Sequence, residues 1–425
     1  MERIEPKRSL KLAPYPEALE KLFKVFQSRS FEYESISVEE SIGRVLTEDI
    51  IANVDAPERD IAMVDGYTVK FKDVSGASAE KPVLLKIIGK FYPWDNPVGV
   101  KLLEGEAAYV TCGAPLPEGA DAVIMVENAV FRDGKIEVRR PVKEGENVIH
   151  AGEDIRRGDI ILRAGSILRP QDVGVLAGLG IRKVNVARKP RVAIIATGNE
   201  LIELSKREPA RIADNYALIV SGLISRIGGE PLRLSIAPDD LDEIKRRIKE
   251  ALESADIIVT VGGCSMGEKD FVPDAVNSLG QPGVIIHGIR VKPGKVTGFG
   301  MVRGKPIVML PGLLASTMAG FYLIFVPLIS LYMGLKVEQL LPTITVRMGH
   351  DLDLDEKPLY RFLPVRIKGQ EGKLYAEAVP GGPNSLSRFV KANGFILIPP
   401  KKRLRREEEV SVTLYSKDEF SRFFD

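Results

Sequence analysis

A chain of 425 residues is longer than one ordinary hydrophobic core requires, so we expect two to four domains. Its composition, 44% hydrophobic and 28% charged, is typical of a soluble globular protein. The formal net charge of +2 argues against a nucleic-acid-binding protein, which usually carries a strong basic excess. The only cysteines are Cys112 and Cys264, which fits a reducing cytoplasm; with three histidines, a His/Cys zinc site is not expected.

Neither a signal peptide nor a membrane span is predicted. The N-terminal segment Met1–Leu12 alternates in charge and has no apolar region of the signal-peptide type. The most apolar segment, Ala319–Met333, is too short to span a bilayer and contains Pro327, so we expect a core helix. The predicted localisation is cytoplasmic, without a membrane partner.

The first 186 residues change character twice. Residues 15–50 are predicted to be helical, because apolar residues recur at helical spacing up to Phe26 and again from Val38 to Leu46. Residues 51–150 contain short β-rich runs between Pro and Gly turns, which predicts a small mostly-β domain. Those runs are Val83–Ile88, Ala107–Thr111, Ala122–Val126 and Lys135–Val138. A strand at Ile160–Leu162 and a helix at Pro170–Leu179 follow.

Residues 191–335 alternate apolar strands with helices, which predicts a doubly wound parallel sheet. The predicted strands are Arg191–Ala196, Leu232–Ile236, Ile257–Val261 and Pro306–Leu310. The predicted helices are Asn215–Ile227, Asp239–Glu253 and Leu314–Met333. After Pro342 we expect no helices, only a small all-β domain. Its predicted strands are Thr343–Met348, Arg361–Ile367, Lys373–Val379, Phe395–Ile398 and Glu409–Tyr415.

A glycine-rich turn follows the buried strand Ile257–Val261. Gly262 and Gly267 have the spacing of a nucleotide P-loop, but Glu268 and Lys269 stand where that motif needs Lys and then Ser or Thr. Exposed backbone N–H groups beside the carboxylate of Asp270 suit an anion held with a divalent cation. We therefore predict an anion site here, but not that of a P-loop ATPase.

Other loops are expected at the same edge of the sheet. Residues 197–200 (Thr-Gly-Asn-Glu) follow the first strand, and Pro311-Gly312 follow the last. Because parallel strands present their carboxyl ends together, these loops and the glycine-rich turn predict one pocket. Lys292 and Lys295 flank a Pro-Gly turn and suit a phosphate or other oxyanion, although such a turn alone is more often a surface loop.

Two acidic segments lie outside the α/β region, Asp60–Tyr67 and Ala151–Asp154. From the sequence alone, each is better interpreted as a turn whose Asp caps its own backbone than as a metal site. No Ser-His-Asp arrangement is evident, and Ser265 has no histidine near it in sequence, so covalent catalysis is not supported.

These segments, taken in order, resemble the molybdopterin molybdenumtransferases, the MoeA and gephyrin E-domain family. The matching stretches are Pro57–Val69, Thr111–Glu127, Ala151–Leu179, Val192–Leu201, Asp256–Val272, Val291–Lys295 and Leu310–Gly312. The resemblance spans nearly the whole chain.

The resemblance implies a multidomain α/β fold with four domains. These are a discontinuous domain (1–50 and 151–188), an inserted mostly-β domain (51–150), an α/β molybdopterin-binding domain (189–340) and a small β-barrel-like domain (341–425). It also implies a homodimer whose pocket is shared with the β domain of the partner subunit. The implied reaction inserts molybdate or tungstate into adenylylated molybdopterin and releases AMP, with Mg²⁺ assisting. Molybdopterin adenylyltransferase would be the pathway neighbour.

The family's functional residues are carried over onto matching positions. The catalytic candidates are Asp65, Asp154, Glu200 and Asp270. The cofactor-binding candidates are Thr197, Gly198, Gly262, Gly263, Ser265, Gly267, Lys292, Lys295, Pro311 and Gly312. The metal-binding candidates are Glu200, Asp239, Asp240 and Asp270, with the choice between Asp239 and Asp240 left open.

The chain departs from the family pattern at several of these loops. Leu313 and Leu314 replace Asn-Pro, Val296 replaces a Pro, and Cys112 stands where Thr is common. Two alternative functions are therefore kept open: molybdopterin adenylyltransferase, which is expected to share the α/β domain, and a molybdopterin-binding scaffold with reduced catalysis.

Overall fold

The computed structural model describes residues 10–26, 32–206, 208–353 and 357–422. The chain forms two compact units. The first takes its residues from Met1–Glu34, Gly43–Val45 and Val186–Asp425, and the second consists of Ser35–Ile42 and Leu46–Asn185. The four domain boundaries given above stay a prediction.

A mixed six-stranded sheet forms the centre of the second unit. Its strands, in spatial order, are Ala122–Met125, Gly66–Val69, Glu106–Val110, Val83–Phe91, Lys135–Val138 and Ala129–Arg132. Alternate apolar side chains such as Val69, Ile124 and Ile136 are buried in one core. The predicted mostly-β domain is confirmed, although the strands at 66–69 and 129–132 were not predicted.

Short elements complete this unit. Ile50–Ile51 pairs with Ile160–Leu162, and Ile61–Ala62 pairs with Val148–Ile149. The helices are Phe71–Val74 and Pro170–Gly178, with 3-10 turns at Val38–Glu40 and Val126–Asn128.

The N-terminal region corrects one prediction. Tyr15–Phe26 is a helix, but the helix predicted beyond it is wrong, because Tyr33–Ser37 is a strand and only a 3-10 turn follows. The spacing of Val38 and Ile42 imitates a helical stripe, yet Gly43 has a φ of +77°, which ends any helix there. Residues 27–31 lie outside the described residues.

The first unit contains a six-stranded sheet with buried strands. In spatial order they are Glu230–Arg233, Arg191–Ala196, Ile257–Val261, Lys305–Leu310, Gly298–Val302 and Gly283–His287. The first four are parallel, as predicted, but Gly298–Val302 runs antiparallel to both of its neighbours, so the sheet is mixed. Arg303 (φ 49°) and Gly304 (φ 74°) form a two-residue hairpin turn, which makes the strands on either side antiparallel.

Helices cover both faces of this sheet. They are Asn215–Arg226, Leu241–Ser254, Val272–Ser278, Leu314–Gly320 and Val326–Tyr332, the last two joined by a π-helical segment at Phe321–Phe325. Leu314–Tyr332 is long and apolar enough to cross a membrane, but 94% of its most apolar window is buried inside the protein. It is therefore the core helix that the sequence predicts.

The C-terminal part of the first unit is a closed five-stranded barrel, as expected. Its strands are Thr343–Met348, Tyr360–Gln370, Lys373–Ala378, Gly394–Ile398 and Glu409–Leu414. The barrel closes because Tyr360–Gln370 pairs with both Lys373–Ala378 and Gly394–Ile398. Val291–Lys292 adds to the same strand in parallel. The prediction that no helix follows Pro342 is wrong, because Leu386–Lys391 is helical.

The remaining elements are short: strands Lys183–Ala187, Leu201–Ile202 and Ile212–Ala213, helix Val337–Leu340 and a 3-10 segment, Lys417–Arg422.

Candidate active site

A cavity of about 970 Å³ opens at the carboxyl ends of the parallel strands. The loops after Arg191–Ala196, Ile257–Val261 and Lys305–Leu310 all line it. The predicted site residues that line it are Thr197, Gly198, Glu200, Asp239, Gly262, Gly263, Ser265, Gly267, Asp270, Lys292, Lys295, Pro311 and Gly312. One cavity therefore joins the three loops with the lysine turn.

Backbone hydrogen bonds fix the glycine-rich turn from both ends. The Gly262 N–H donates to Leu310 O at 2.9 Å, and the Val272 N–H donates to Gly263 O at 3.0 Å. Within the turn, the Gly267 N–H donates to Asp270 Oδ2 at 2.6 Å. Asp270 thus closes the turn and at the same time presents its carboxylate to the cavity.

Two of these positions accept only glycine. Gly262 and Gly263 have φ of +96° and +62°, and a Cβ on either would lie 2.6 Å from an oxygen of Thr197. The two strand ends therefore approach more closely than any side chain permits. Thr197 Oγ1 itself is buried and has no hydrogen-bond partner in the described part of the chain, so a polar atom at the cavity wall is left for a ligand.

Hydrogen bonds join the loop after the first strand to Asp239, and Glu200 and Asp239 both line the cavity. The Asn199 N–H donates to Asp239 Oδ2 at 3.2 Å, and the Asp239 N–H donates to Asn199 Oδ1 at 3.1 Å. Asp240 has a different role: its Oδ1 accepts from the N–H groups of Asp242 and Glu243 and caps a helix. Between the two alternatives, Asp239 lines the cavity and Asp240 does not.

The lysine turn receives positive charge from the barrel. Lys292 pairs in register with Arg361 of the barrel strand Tyr360–Gln370. The charge of Arg361, with partial burial and the charge of Lys357, lowers the pKa of Lys292 below its ordinary value. Positive charges this close together favour the binding of an anion.

Asp65 and Asp154 belong to the other unit. Asp65 Oδ1 accepts from the Cys112 N–H at 2.7 Å, and the Asp154 N–H donates to Ala56 O at 3.2 Å. Neither residue lines the cavity of the first unit.

Three family models match the chain in order. They are "MoeA N-terminal region (domain I and II)" at residues 13–180, "Probable molybdopterin binding domain" at 193–330, and "MoeA C-terminal region (domain IV)" at 346–415. The molybdopterin molybdenumtransferase of Bacillus subtilis (strain 168) is 32% identical over 376 residues, covering 87% of this chain and 86% of its own. That of Staphylococcus aureus (strain COL) is 30% identical over 393 residues, covering 91% of each.

The chain belongs to the MoeA family. The fold agrees: the crystal structure of the molybdopterin biosynthesis MoeA protein from Pyrococcus horikoshii superposes with a TM-score of 0.83 at 35% identity, covering 96% of this chain and all of that one. This family works in molybdenum cofactor biosynthesis, and its curated members are transferases. The adenylyltransferase alternative is not favoured, because the matches include the N-terminal and barrel regions as well as the α/β domain.

The main departure from the MoeA pattern lies at the start of a helix. Leu313 is the N-cap of Leu314–Gly320 and its side chain makes no capping hydrogen bond. Its carbonyl accepts from the Ser316 and Thr317 N–H groups, and Thr317 Oγ1 donates to Pro311 O at 2.6 Å. The loop therefore keeps its closure without the family's Asn, while Leu313 places an apolar side chain at the cavity.

Several residues that line the cavity were not predicted as site residues. They include Asp214, Tyr216 and, from the barrel, Asn384. Burial raises the pKa of Asp214, although the Ala217 N–H and the charge of Arg233 oppose this. Asp214 carried a detectable signal, since an Asp before a helix is a typical cap; Asn384 carried none, because only the tertiary fold brings the barrel loop here.

The donor set fits Mg²⁺ only together with substrate oxygens. Within the described ranges, no group of three or more His, Cys, Asp or Glu residues is placed to hold a metal ion. The cavity does expose the carboxylates of Glu200, Asp239 and Asp270. Mg²⁺ is usually bound by one or two carboxylates with substrate phosphates and waters, so this set suits it.

Proposed function

We propose that this chain inserts molybdate, or the near-isosteric tungstate, into adenylylated molybdopterin and releases AMP. The observation that carries the proposal is the single cavity in which the lysine turn, the glycine-rich turn and the carboxylates meet. Lys292, Lys295 and the N–H groups of the turn would bind the phosphate and oxometalate oxygens. A cavity that holds two anionic reactants together lowers the entropic cost of their reaction.

One or two of the carboxylates of Glu200, Asp239 and Asp270 would hold Mg²⁺ together with substrate phosphate oxygens. Bound there, it would withdraw charge from the phosphoanhydride as AMP departs. In this proposal Asp270 orients the glycine-rich turn through the Gly267 N–H and also presents its charge to the cation.

A direct experiment tests the reaction. The purified protein is incubated with adenylylated molybdopterin, Mg²⁺ and either molybdate or tungstate, and AMP is measured. We expect AMP release that depends on the oxometalate. No oxometalate-stimulated AMP would overturn the proposal, and tight pterin binding without AMP would instead identify a scaffold.

We further infer a cytoplasmic homodimer whose site is completed across subunits. The support is the family resemblance, together with the placement of Asp65 and Asp270 in different units of the chain. In the complete site, Asp65 of the partner subunit would join the cavity.

A complementation experiment tests this shared site. Asp65→Ala and Asp270→Ala are each expected to be inactive, but mixed heterodimers contain one intact site and should recover up to about half of the wild-type activity per mixed dimer. AMP release after subunit exchange is the measurement. Mixed heterodimers that stay inactive, after isolation through a different affinity tag on each variant, contradict the shared site but not the reaction.

A further inference from the structure

Tyr216 is the only aromatic residue among the described residues that line the cavity. It is the second residue of the helix Asn215–Arg226 and is half-buried. Its hydroxyl donates to Asn384 Oδ1 at 3.3 Å. A hydrogen bond between the α/β domain and the barrel therefore holds this ring at the cavity.

Two exposed apolar side chains lie at the same cavity. Ile212 is 56% exposed and Leu313 is 43% exposed, and both line it. Apolar groups exposed inside a concave site are typical of surfaces that a ligand covers. We call Ile212, Tyr216 and Leu313 the apolar wall.

The barrel loop that carries Asn384 is held at both sides. Pro383 O accepts from the Ala315 N–H at 2.9 Å, at the first turn of the helix that follows Leu313. Arg388 Nε donates to Val379 O at 2.8 Å, which ties the start of the loop to the barrel. The position of Asn384 is therefore fixed by the fold.

We propose that the apolar wall and Asn384 form a subsite for a planar nitrogen heterocycle, the pterin or the adenine of the substrate. The inference rests on the proposed function, since both ring systems belong to adenylylated molybdopterin. The Tyr216 ring offers a stacking face, and Ile212 and Leu313 offer apolar contact. The Asn384 amide has N–H donors for a ring nitrogen or an exocyclic oxygen.

The chemistry of the rest of the cavity supports this division. The lining also contains lysines, carboxylates and backbone N–H groups, which bind phosphate and oxometalate rather than a neutral ring. Leu313 adds exposed apolar area to the cavity in place of a polar residue.

Binding measurements test the subsite without turnover. The full chain is titrated by calorimetry with AMP, with neopterin (a soluble pterin that carries no phosphate) and with tungstate. The variants are Tyr216→Leu, which removes the ring, and Tyr216→Phe, which keeps the ring and removes the hydrogen bond. Leu218→Ala is the control, because Leu218 is on the same helix, is 47% exposed and does not line the cavity.

We expect Tyr216→Leu to lose about tenfold or more in affinity for neopterin, for AMP, or for both, as removal of a stacking aromatic usually does. Which probe loses affinity identifies the ring that the subsite holds. Tyr216→Phe and Leu218→Ala should bind both probes within about threefold of wild type, since a single neutral hydrogen bond contributes little net free energy. Tungstate affinity should be unchanged in every variant.

Three results would overturn the subsite: wild-type protein that binds neither heterocycle, Tyr216→Leu that binds both as wild type does, or an equal loss of tungstate affinity in Tyr216→Leu. The AMP-release assay separates this inference from the reaction. AMP release with unaltered heterocycle binding in Tyr216→Leu refutes the subsite alone. Loss of neopterin binding in that variant, with no AMP release by wild type, refutes the reaction alone.

Discussion

The two sides of the cavity are built in different ways. The anion wall, which we define as Gly262–Asp270 with Lys292 and Lys295, is shaped by backbone: two glycines fit only because they lack a Cβ, and hydrogen bonds fix the turn. The apolar wall depends on side chains from two segments that are far apart in the sequence, residues 212–216 and Leu313. A local motif can therefore encode the binding of charge, whereas recognition of a ring here requires residues that only the assembled fold brings together.

The largest effect on AMP release is expected for substitutions of Asp270 in the anion wall. Asp270→Ala should reduce AMP release by about 100-fold or more, because it removes both the proposed cation ligand and the acceptor for the Gly267 N–H. Asp270→Asn retains an acceptor for that N–H but loses the charge. If the charge matters, Asp270→Asn should be nearly as inactive as Asp270→Ala in the AMP assay.

The Asp270 variants also have a structural control. Both should unfold at the wild-type temperature, since the turn is held at its ends by Gly262 and Val272. Full activity in Asp270→Asn would show that Asp270 acts only by closing the turn.

A second experiment tests the anion wall at the lysine turn. Lys292→Ala should weaken tungstate binding roughly tenfold or more, since a hydrogen bond between charged partners is worth about 1.5–3 kcal/mol. Neopterin binding should remain as in wild type, because the ring belongs to the other wall. Equal losses for tungstate and neopterin in calorimetry would mean that the two walls are not separate.

The pH dependence of anion binding follows from the lowered pKa of Lys292. Lysine is charged below its pKa, so tungstate affinity should be full at lower pH and should fall as pH rises, earlier than for an ordinary lysine. Arg361→Gln removes the largest cause of the shift and should move this fall to higher pH. Arg366→Gln, on the same barrel strand, is the control and should leave the profile where it is. A profile unchanged in Arg361→Gln would contradict the coupling.

The sequence indicated the residues of the anion wall for physical reasons; they line one cavity, and their binding of an anion stays a prediction. Glycines, lysines and carboxylates at strand ends carry their chemistry locally, and the parallel strands that present them are marked by continuous apolar runs such as Ile257–Val261. The same reasoning extended the first helix wrongly, because Val38 and Ile42 repeat at helical spacing although the chain there is no longer helical.

What the sequence could not provide depends on long-range placement. Asn384 and Arg361 reach the site because the barrel packs and pairs beside the lysine turn, and no local pattern marks them. The antiparallel strand Gly298–Val302 of the α/β sheet was not predicted, for a different reason. Arg303-Gly304 forms the hairpin turn but is not one of the Asn-Gly or Asp-Gly pairs that mark a hairpin in a sequence, so the regular βαβ alternation around it predicts parallel strands.

The smallest predicted effect concerns Leu313, where the chain departs from the MoeA pattern. Leu313 occupies an N-cap position without a capping side chain. Leu313→Asn should therefore raise the free energy of unfolding by about 1 kcal/mol. For a chain of 425 residues that corresponds to a rise of about 1 °C in Tm, measured by thermal unfolding. Leu218→Asn is a control of opposite sign, because Asn inside an exposed helix should lower stability by about 0.5 kcal/mol.

The same Leu313→Asn variant tests whether the apolar side chain of Leu313 contributes to heterocycle binding. If Leu313 serves the apolar wall, heterocycle affinity should fall, but by less than in Tyr216→Leu, since Leu313 contributes apolar area without a stacking face. Tungstate affinity should not change. A variant that gains stability and binds AMP and neopterin as wild type does would show that Leu313 costs the helix a cap without serving the ligand, and the apolar wall would then reduce to Tyr216 and Ile212.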